Sequence, residues 1–321
     1  MAHLKKLDPL IILIIAAVLL AIAAPARGEF AEIFSLLTKL AIAVLFFLYG
    51  ARLSPQEAIA GIKNWKLHLT ILSFTFVLYP LVGIALRPLS GFINPELYLG
   101  VLFLTLVPST VQSSVAFTSI AKGNVGGAIV SASASNLAGV VLTPLLVALL
   151  IQAGNTGVQV DGSVFAQIAL QLLAPFIVGQ LARPWIRGFA ASQGTKIVDR
   201  GSIAMVVYSA FSGGMVAGVW STVNTWEFLF LVVLSLTLVT GMLWLSRTLS
   251  SRLGFSRADR IAIEFCGSKK SLATGLPMAA VLFGSGTSAL GLLILPLMIY
   301  HQTQLIVCSA LASRYARAEA A

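Results

Sequence analysis

Apolar residues run along this chain in long blocks rather than in strict alternation, and short polar joints separate the blocks. A block of roughly 17–25 residues is the length that crosses a hydrocarbon core as an α-helix. The pattern predicts ten such helices, near 8–25, 33–50, 66–86, 96–121, 124–151, 163–183, 202–220, 225–246, 258–284 and 287–311. Turn residues and charges mark the joints, among them Arg27-Gly28-Glu29, Ser54-Pro55-Gln56, Asn94-Pro95, Lys122-Gly123-Asn124, Gly154-Asn155-Thr156-Gly157 and Gly284-Ser285-Gly286. The first block follows Lys5-Lys6 and resembles a secretory signal, with Ala23-Ala24-Pro25-Ala26 as its cleavage site. Because the chain goes on spanning, the block is read as the first helix.

The longest polar connection, Arg183 to Arg200, divides the helices into two groups of five. An odd number per group forces the groups into opposite orientations, the inverted-repeat plan of many secondary transporters. The expectation is one transmembrane unit over residues 1–321, all-α, with a first repeat at about 8–151 and a second at about 163–311.

Composition agrees. Of 321 residues, 58% are hydrophobic and 10% charged, and the mean hydropathy is +0.95. That is more apolar surface than one soluble core buries. The net charge of +10 does not form a patch interleaved with aromatic residues, so no nucleic-acid partner is expected. Lys and Arg gather instead at the joints on one side of the membrane, from Lys5 to Arg317, with Arg27 and Arg87 on the other. Positive residues stay inside, which places both termini in the cytoplasm of a multi-pass protein of a bacterial-type inner membrane. Cys266 and Cys308 give neither a disulfide framework nor a transition-metal pattern.

Helices 4 and 9 differ from the rest. One is interrupted by Pro108-Ser109-Thr110-Val111-Gln112-Ser113-Ser114, the other by Glu264-Phe265-Cys266-Gly267-Ser268-Lys269-Lys270-Ser271. Backbone opened inside a membrane is tolerated only around a polar cavity or within protein, and two interrupted helices at matching positions point to a transporter's binding site. Glu264 is the one carboxylate deep in a predicted helix; the bland reading pairs it with Arg260 one turn earlier. Lys269 and Lys270 open a half-helix whose dipole disfavours cations, so they need compensation from carbonyl-rich helix ends and from Glu264, or else they extend to the surface.

These segments, together with Val107 to Ala116, Glu264 to Ala273 and Tyr300-His301-Gln302-Thr303-Gln304, resemble the bile acid:sodium symporter family over essentially the whole chain, and most of all its cotransporter 7-like branch with bacterial members. The resemblance implies a panel domain of helices 1, 2, 6 and 7 beside a core domain of helices 3–5 and 8–10, with the discontinuous helices 4 and 9 crossing where coupling ions bind. It carries ion-site roles to Ser113, Ser114, Glu264, Ser268 and Thr75, with Gln112 beside them. Helix 5 hydroxyls fall near Ala128 and Ala132, and a one-residue slip brings in Ser131 and Ser135 instead. Several amides of the sodium-coupled pattern are shortened here to hydroxyls, and two lysines are added. Fewer oxygens and more positive charge make a poor sodium site. The expectation is that the Lys270 ammonium, or alternatively that of Lys269, takes a sodium position and pairs with Glu264. Coupling is then to H+, to a single remaining Na+, or absent.

The substrate implied is a small organic anion, a bile acid or another amphipathic carboxylate or sulfate, carried by alternating access; the residues name neither substrate nor oligomeric state. His301 bonds across helices or relays protons, Asn136 and Ser133 are glue or ligands, and Lys39 in helix 2 reaches the membrane surface along its stem. No HExxH, GxSxG or Asp pair supports an enzyme. The rival reading is a regulatory membrane protein that keeps a transporter fold without transport.

Overall fold

A computed structural model describes residues 9–52, 64–152, 172–192, 194–284 and 289–318, and among these every regular element is helical. Helix α1 is Pro9–Ala23 and α2 is Gly28–Arg52, with Glu29 in its first turn and Arg52 in its last, each matched to the helix dipole. Helix α3 (Trp65–Ser73) passes through a π-helical turn, Phe74–Leu78, into α4 (Tyr79–Ala85). Helix α5 is Pro95–Leu106, begun by proline and by an Asn94 side chain that accepts from the Glu96 N–H. Helix α6 is Val111–Ile120, and α7 is Val125–Val147, capped by Asn124. Helix α8 is Ala174–Ala190 and α9 is Thr195–Val216. Helix α10 (Thr225–Arg252) opens with a reciprocal capping box between Asn224 and Glu227. Helices α11 (Arg257–Gly267), α12 (Leu272–Phe283) and α13 (Leu290–Ala318) complete the chain.

Five helical stretches are long and apolar enough to cross a membrane: α2, Trp65–Gly91, Val125–Ile151, α10 and α13. The pair α5 and α6, bent by 61° at its break, makes a sixth when taken together. The other four expected spans correspond to α1, α8, α9 and the pair α11 and α12, which are helical but do not meet the same measure over the described residues. The first residues of the sixth expected span, 163–171, lie outside the described residues. Large apolar side chains stand exposed on helix after helix, such as Leu19, Leu40 and Val233, as lipid-facing surface requires.

The chain divides into two compact units: residues 1–52, 166–222 and 276–292, and residues 53–165, 223–275 and 293–321. In the first, α2 packs along α8, and Arg52 joins Asp199 of α9 at 2.7 Å while its Nε donates to the Ala190 carbonyl. In the second, α6 and α11 pack on α7, and the Glu227 carboxylate accepts from the Asn94 N–H at 2.7 Å as well as capping α10.

Both predicted breaks are present and both are narrower than the polar runs that announce them. The chain leaves helical form only between Leu106 and Val111 and between Gly267 and Leu272. Ser113, Ser114 and Glu264 therefore stand on regular helix, within a turn of the breaks, and the Ser114 hydroxyl and Glu264 carboxylate find partners without opening the backbone.

Candidate functional site

The site is built from backbone that cannot satisfy itself. At the end of α5 the last carbonyls have no helical N–H ahead of them, and Pro108 removes one more donor. In the π-helical turn the Tyr79 N–H bonds the Phe74 carbonyl, and the next N–H in line for the Thr75 carbonyl belongs to Pro80, which has none. Thr75, Thr105 and Val107, all buried, are thus left with carbonyl oxygens that no helical N–H satisfies. Each costs about 1–3 kcal/mol if buried without a donor.

The Lys270 ammonium answers all three. Its Nζ donates to Thr75 O at 2.9 Å, Thr105 O at 2.8 Å and Val107 O at 2.9 Å, with the Tyr79 ring 4.2 Å from it. An ammonium has three protons, so the group is fully satisfied. Its own backbone is clamped as well: Gln304 of α13 accepts from the Lys270 N–H and donates to the Lys270 carbonyl, both at 2.9 Å.

Lys269, one residue earlier, is treated differently. Its Nζ is buried with no hydrogen-bond partner and lies over the Phe117 ring at 3.8 Å, with Phe265 at 5.8 Å. A cation over a ring face is attracted to it, but the ammonium protons remain unmatched.

The two breaks are tied to each other. The Ser271 N–H donates to Pro108 O at 2.8 Å, the Thr110 hydroxyl to Lys270 O at 2.9 Å, and the Ser109 hydroxyl to Cys266 O at 2.6 Å. Asn136 of α7 reaches both, donating to Ser109 O and accepting from the Thr274 hydroxyl at 2.8 Å, so it acts as glue. Gly139 leaves room for Pro108, since a Cβ there would lie 2.8 Å from the proline ring. The phenols of Tyr79 and Tyr300 converge on Ser268 O at 2.5 and 2.8 Å, and their hydroxyls touch each other.

The expected ion-site residues fall into three groups. Ser114 and Ser135 are at the crossing, donating to Phe265 O at 3.1 Å and accepting from the Ser109 N–H at 3.0 Å. Ser268 and Thr75 are buried there too, but their hydroxyls fold back on Glu264 O and Ile71 O of their own helices; Thr75 contributes through its carbonyl, not its side chain. The Ser113 hydroxyl is buried and unpartnered, Gln112 is exposed, and Ser131 bonds His68 Nδ1 at 2.6 Å, away from the breaks. His301 contacts Gln304 within its own helix at 2.9 Å.

One expected pairing is corrected. Glu264, 3% exposed, accepts from the Tyr315 phenol at 2.8 and 3.1 Å, and among the described residues the single ion pair is Arg52 with Asp199. The reason is directional: the carboxylate faces α13 whereas Lys270 extends toward the π-helical turn and the end of α5. The bland pairing with Arg260 is absent as well, since Arg260 donates to Ser251. Gln304 entered the sequence reading only within the Tyr300 to Gln304 motif and the carbonyls only as carbonyl-rich helix ends; Tyr79 and Tyr315 lay outside the site as read, and the signal for the Thr75 carbonyl, Pro80 five residues on, was in plain sight.

The SBF-like CPA transporter family model matches residues 8–317. The chain is similar to an uncharacterised Pseudomonas aeruginosa protein, PA2026, at 52% identity over 97% of this chain and 93% of that protein. It is 47% identical to the putative symporter YfeH of Escherichia coli, covering 98% and 94% of the two chains, and 30% identical to sodium/bile acid cotransporter 7 of Xenopus tropicalis, covering 86% and 81%.

Proposed function

The chain belongs to the SBF-like CPA transporter family, and on that premise we propose that it is a secondary transporter of a small organic anion in which the Lys270 ammonium stands where a coupling cation would otherwise bind. It is a membrane transport protein and not an enzyme. The observation that carries the cation reading is the set of three backbone carbonyls at 2.8–2.9 Å around one buried Nζ. Carbonyl rings of this kind are how membrane proteins replace the hydration shell of a monovalent cation. With the ammonium in place the oxygens are taken, so coupling rests on a proton, on one remaining sodium, or on neither.

The ten-span, inverted-repeat plan is supported by the order of elements, since each half runs helix, helix, helix, broken helix, helix. The panel and core of the family fold are supported by the two compact units, one holding α1, α2, α8 and α9 and the other the two breaks. Both termini in the cytoplasm of a bacterial-type inner membrane follow from the basic joints. The substrate class rests on relatives named for bile acids and on the positive ends of α6 and α12. The regulatory alternative gains no support from relatives named symporter and cotransporter.

Uptake of radiolabelled cholate into proteoliposomes, with sodium, proton or no gradient, tests the reading in the parent and in Lys270→Gln. The parent is expected to show at most first-order dependence on sodium, and Lys270→Gln to gain a sodium requirement or lose uptake. Second-order sodium dependence in the parent would falsify the tethered-cation reading.

A further inference from the structure

The first compact unit carries a second polar feature remote in sequence from the breaks. A cavity of about 380 Å³ lies along α2 and α9, the size range of small-molecule sites. Its polar lining is Glu32, Ser35 and Lys39 from α2 and Ser209 and Ser212 from α9, and Phe34 supplies an apolar wall. That wall is fixed: Phe34 meets the Tyr208 ring edge to face at 4.9 Å, and Tyr208 donates to Ala24 O.

Two observations mark it as a place for a ligand. Ser212 lines the cavity, and its hydroxyl is buried with no hydrogen-bond partner. Lys39 is thirteen residues before Arg52, the last residue of α2, hence about 20 Å along the axis from that end. In a hydrocarbon core about 30 Å thick this leaves the Lys39 backbone about 10 Å inside the opposite face, and its exposed side chain on the cavity lining gives the charge a polar surround in place of lipid. Glu32 is the other charge on the lining, two helical turns away and about 10 Å along the same face. Among the described residues no ion pair joins it to Lys39.

We propose that this cavity is the docking face for the transported anion: Lys39 takes the carboxylate or sulfate head, the serine hydroxyls bond its oxygens, and the apolar body lies against Phe34. Glu32 repels a second negative group about 10 Å from the first, so the site selects monoanions over dianions of similar length and favours a hydroxyl or ammonium at the far end. The inference rests on the transporter reading for its ligand class but names residues that reading does not use.

The test exploits the burial of both native thiols, Cys266 and Cys308. In full-length protein in liposomes, Ser35→Cys and Leu36→Cys, partly buried and exposed on the cavity lining, are expected to react with a charged, water-soluble thiosulfonate, whereas Val233→Cys, exposed on the apolar span α10, is not. Saturating cholate is expected to slow modification of Ser35→Cys about tenfold, and Lys39→Gln to abolish that protection, the loss expected for one charged hydrogen bond. A dicarboxylate of the same skeleton should protect poorly until Glu32→Gln is introduced. If the cavity thiols are as inert as Val233→Cys, the groove is filled by lipid and the proposal fails. It fails equally if cholate, dodecyl sulfate and decanoate all leave the rate unchanged, or if Lys39→Gln is protected like the parent. Cholate flux measured alongside separates the two readings: protection without flux sinks transport, and flux without protection sinks this site.

Discussion

The break between α5 and α6 and the break between α11 and α12 occupy matching places in the two halves of the chain, yet they bring opposite things to the crossing. The first contains proline and hydroxyls but no charge, and it offers oxygen: Thr105 O and Val107 O, helped by Thr75 O from the neighbouring π-helical turn. The second contains two ammonium groups and consumes that oxygen through Lys270. A symmetric pair of half-helices, each with its own carbonyl end, leaves surplus negative potential that a free cation neutralises. Here one half supplies the acceptor oxygens and the other the Lys270 side chain that takes them, and on the proposed reading the charge balance of the crossing is carried within the chain.

The most damaging way to break that complementarity is to remove the cation. Lys270→Met keeps an unbranched side chain of nearly the same length but strands three buried carbonyls, an expected loss of about 3–5 kcal/mol. Thermal unfolding of the purified protein in detergent reads it directly. A melting temperature equal to the parent's means the cage does not depend on the ammonium.

Taking one oxygen out of the cage is gentler. Pro80→Ala restores an N–H five residues after Thr75, where the π-helical turn can use it, and so withdraws Thr75 O from Lys270. The expected cost is about 1–2 kcal/mol. Combined with Lys270→Met it should cost less than the sum, because the new donor satisfies an oxygen that the lost ammonium abandoned. Strict additivity would show that the two residues do not share that oxygen.

What the chain disclosed in advance follows from which chemistry is written in side chains. Helix positions came from apolar block length, and the breaks from Pro108 and from Gly267 to Lys270, because proline and clustered charge in an apolar run have few other uses. The cage was legible in outline, as carbonyl-rich helix ends compensating a lysine, but not in its particular oxygens, because main-chain atoms leave no residue signature; reading side chains pointed to the Thr75 hydroxyl, which in fact bonds Ile71 O. The Glu264–Lys270 pairing failed for a related reason. Nearness in sequence across a break says little about direction, and the two side chains leave the backbone toward different helices. Tyr315, the partner Glu264 does have, lies 51 residues on, beyond any local pattern.

Within the first break the comparison sharpens at adjacent serines. Ser114→Ala removes the hydroxyl that donates to Phe265 O and should cost about 1 kcal/mol. Ser113→Ala removes a buried hydroxyl with no partner and should cost nothing or stabilise slightly. Equal shifts in melting temperature for the two variants would mean that Ser114 does not bind the breaks together.

The smallest change in stability is expected where the side chain looks most consequential. Lys269 is as buried as Lys270, but its Nζ has an aromatic face in place of oxygen acceptors. Burying an ammonium without hydrogen bonds is costly, and the ring returns only about 2 kcal/mol when desolvated. Replacing it with methionine, which fills similar space and packs well on Phe117, should therefore leave the melting temperature unchanged or raise it. A group that burdens the fold and lies at the crossing is retained for something other than stability, so Lys269→Met should fold as well as the parent while losing cholate uptake. If Lys269→Met instead melts as low as Lys270→Met, the two ammonium groups play one structural role and the division between cage and cation extends to both.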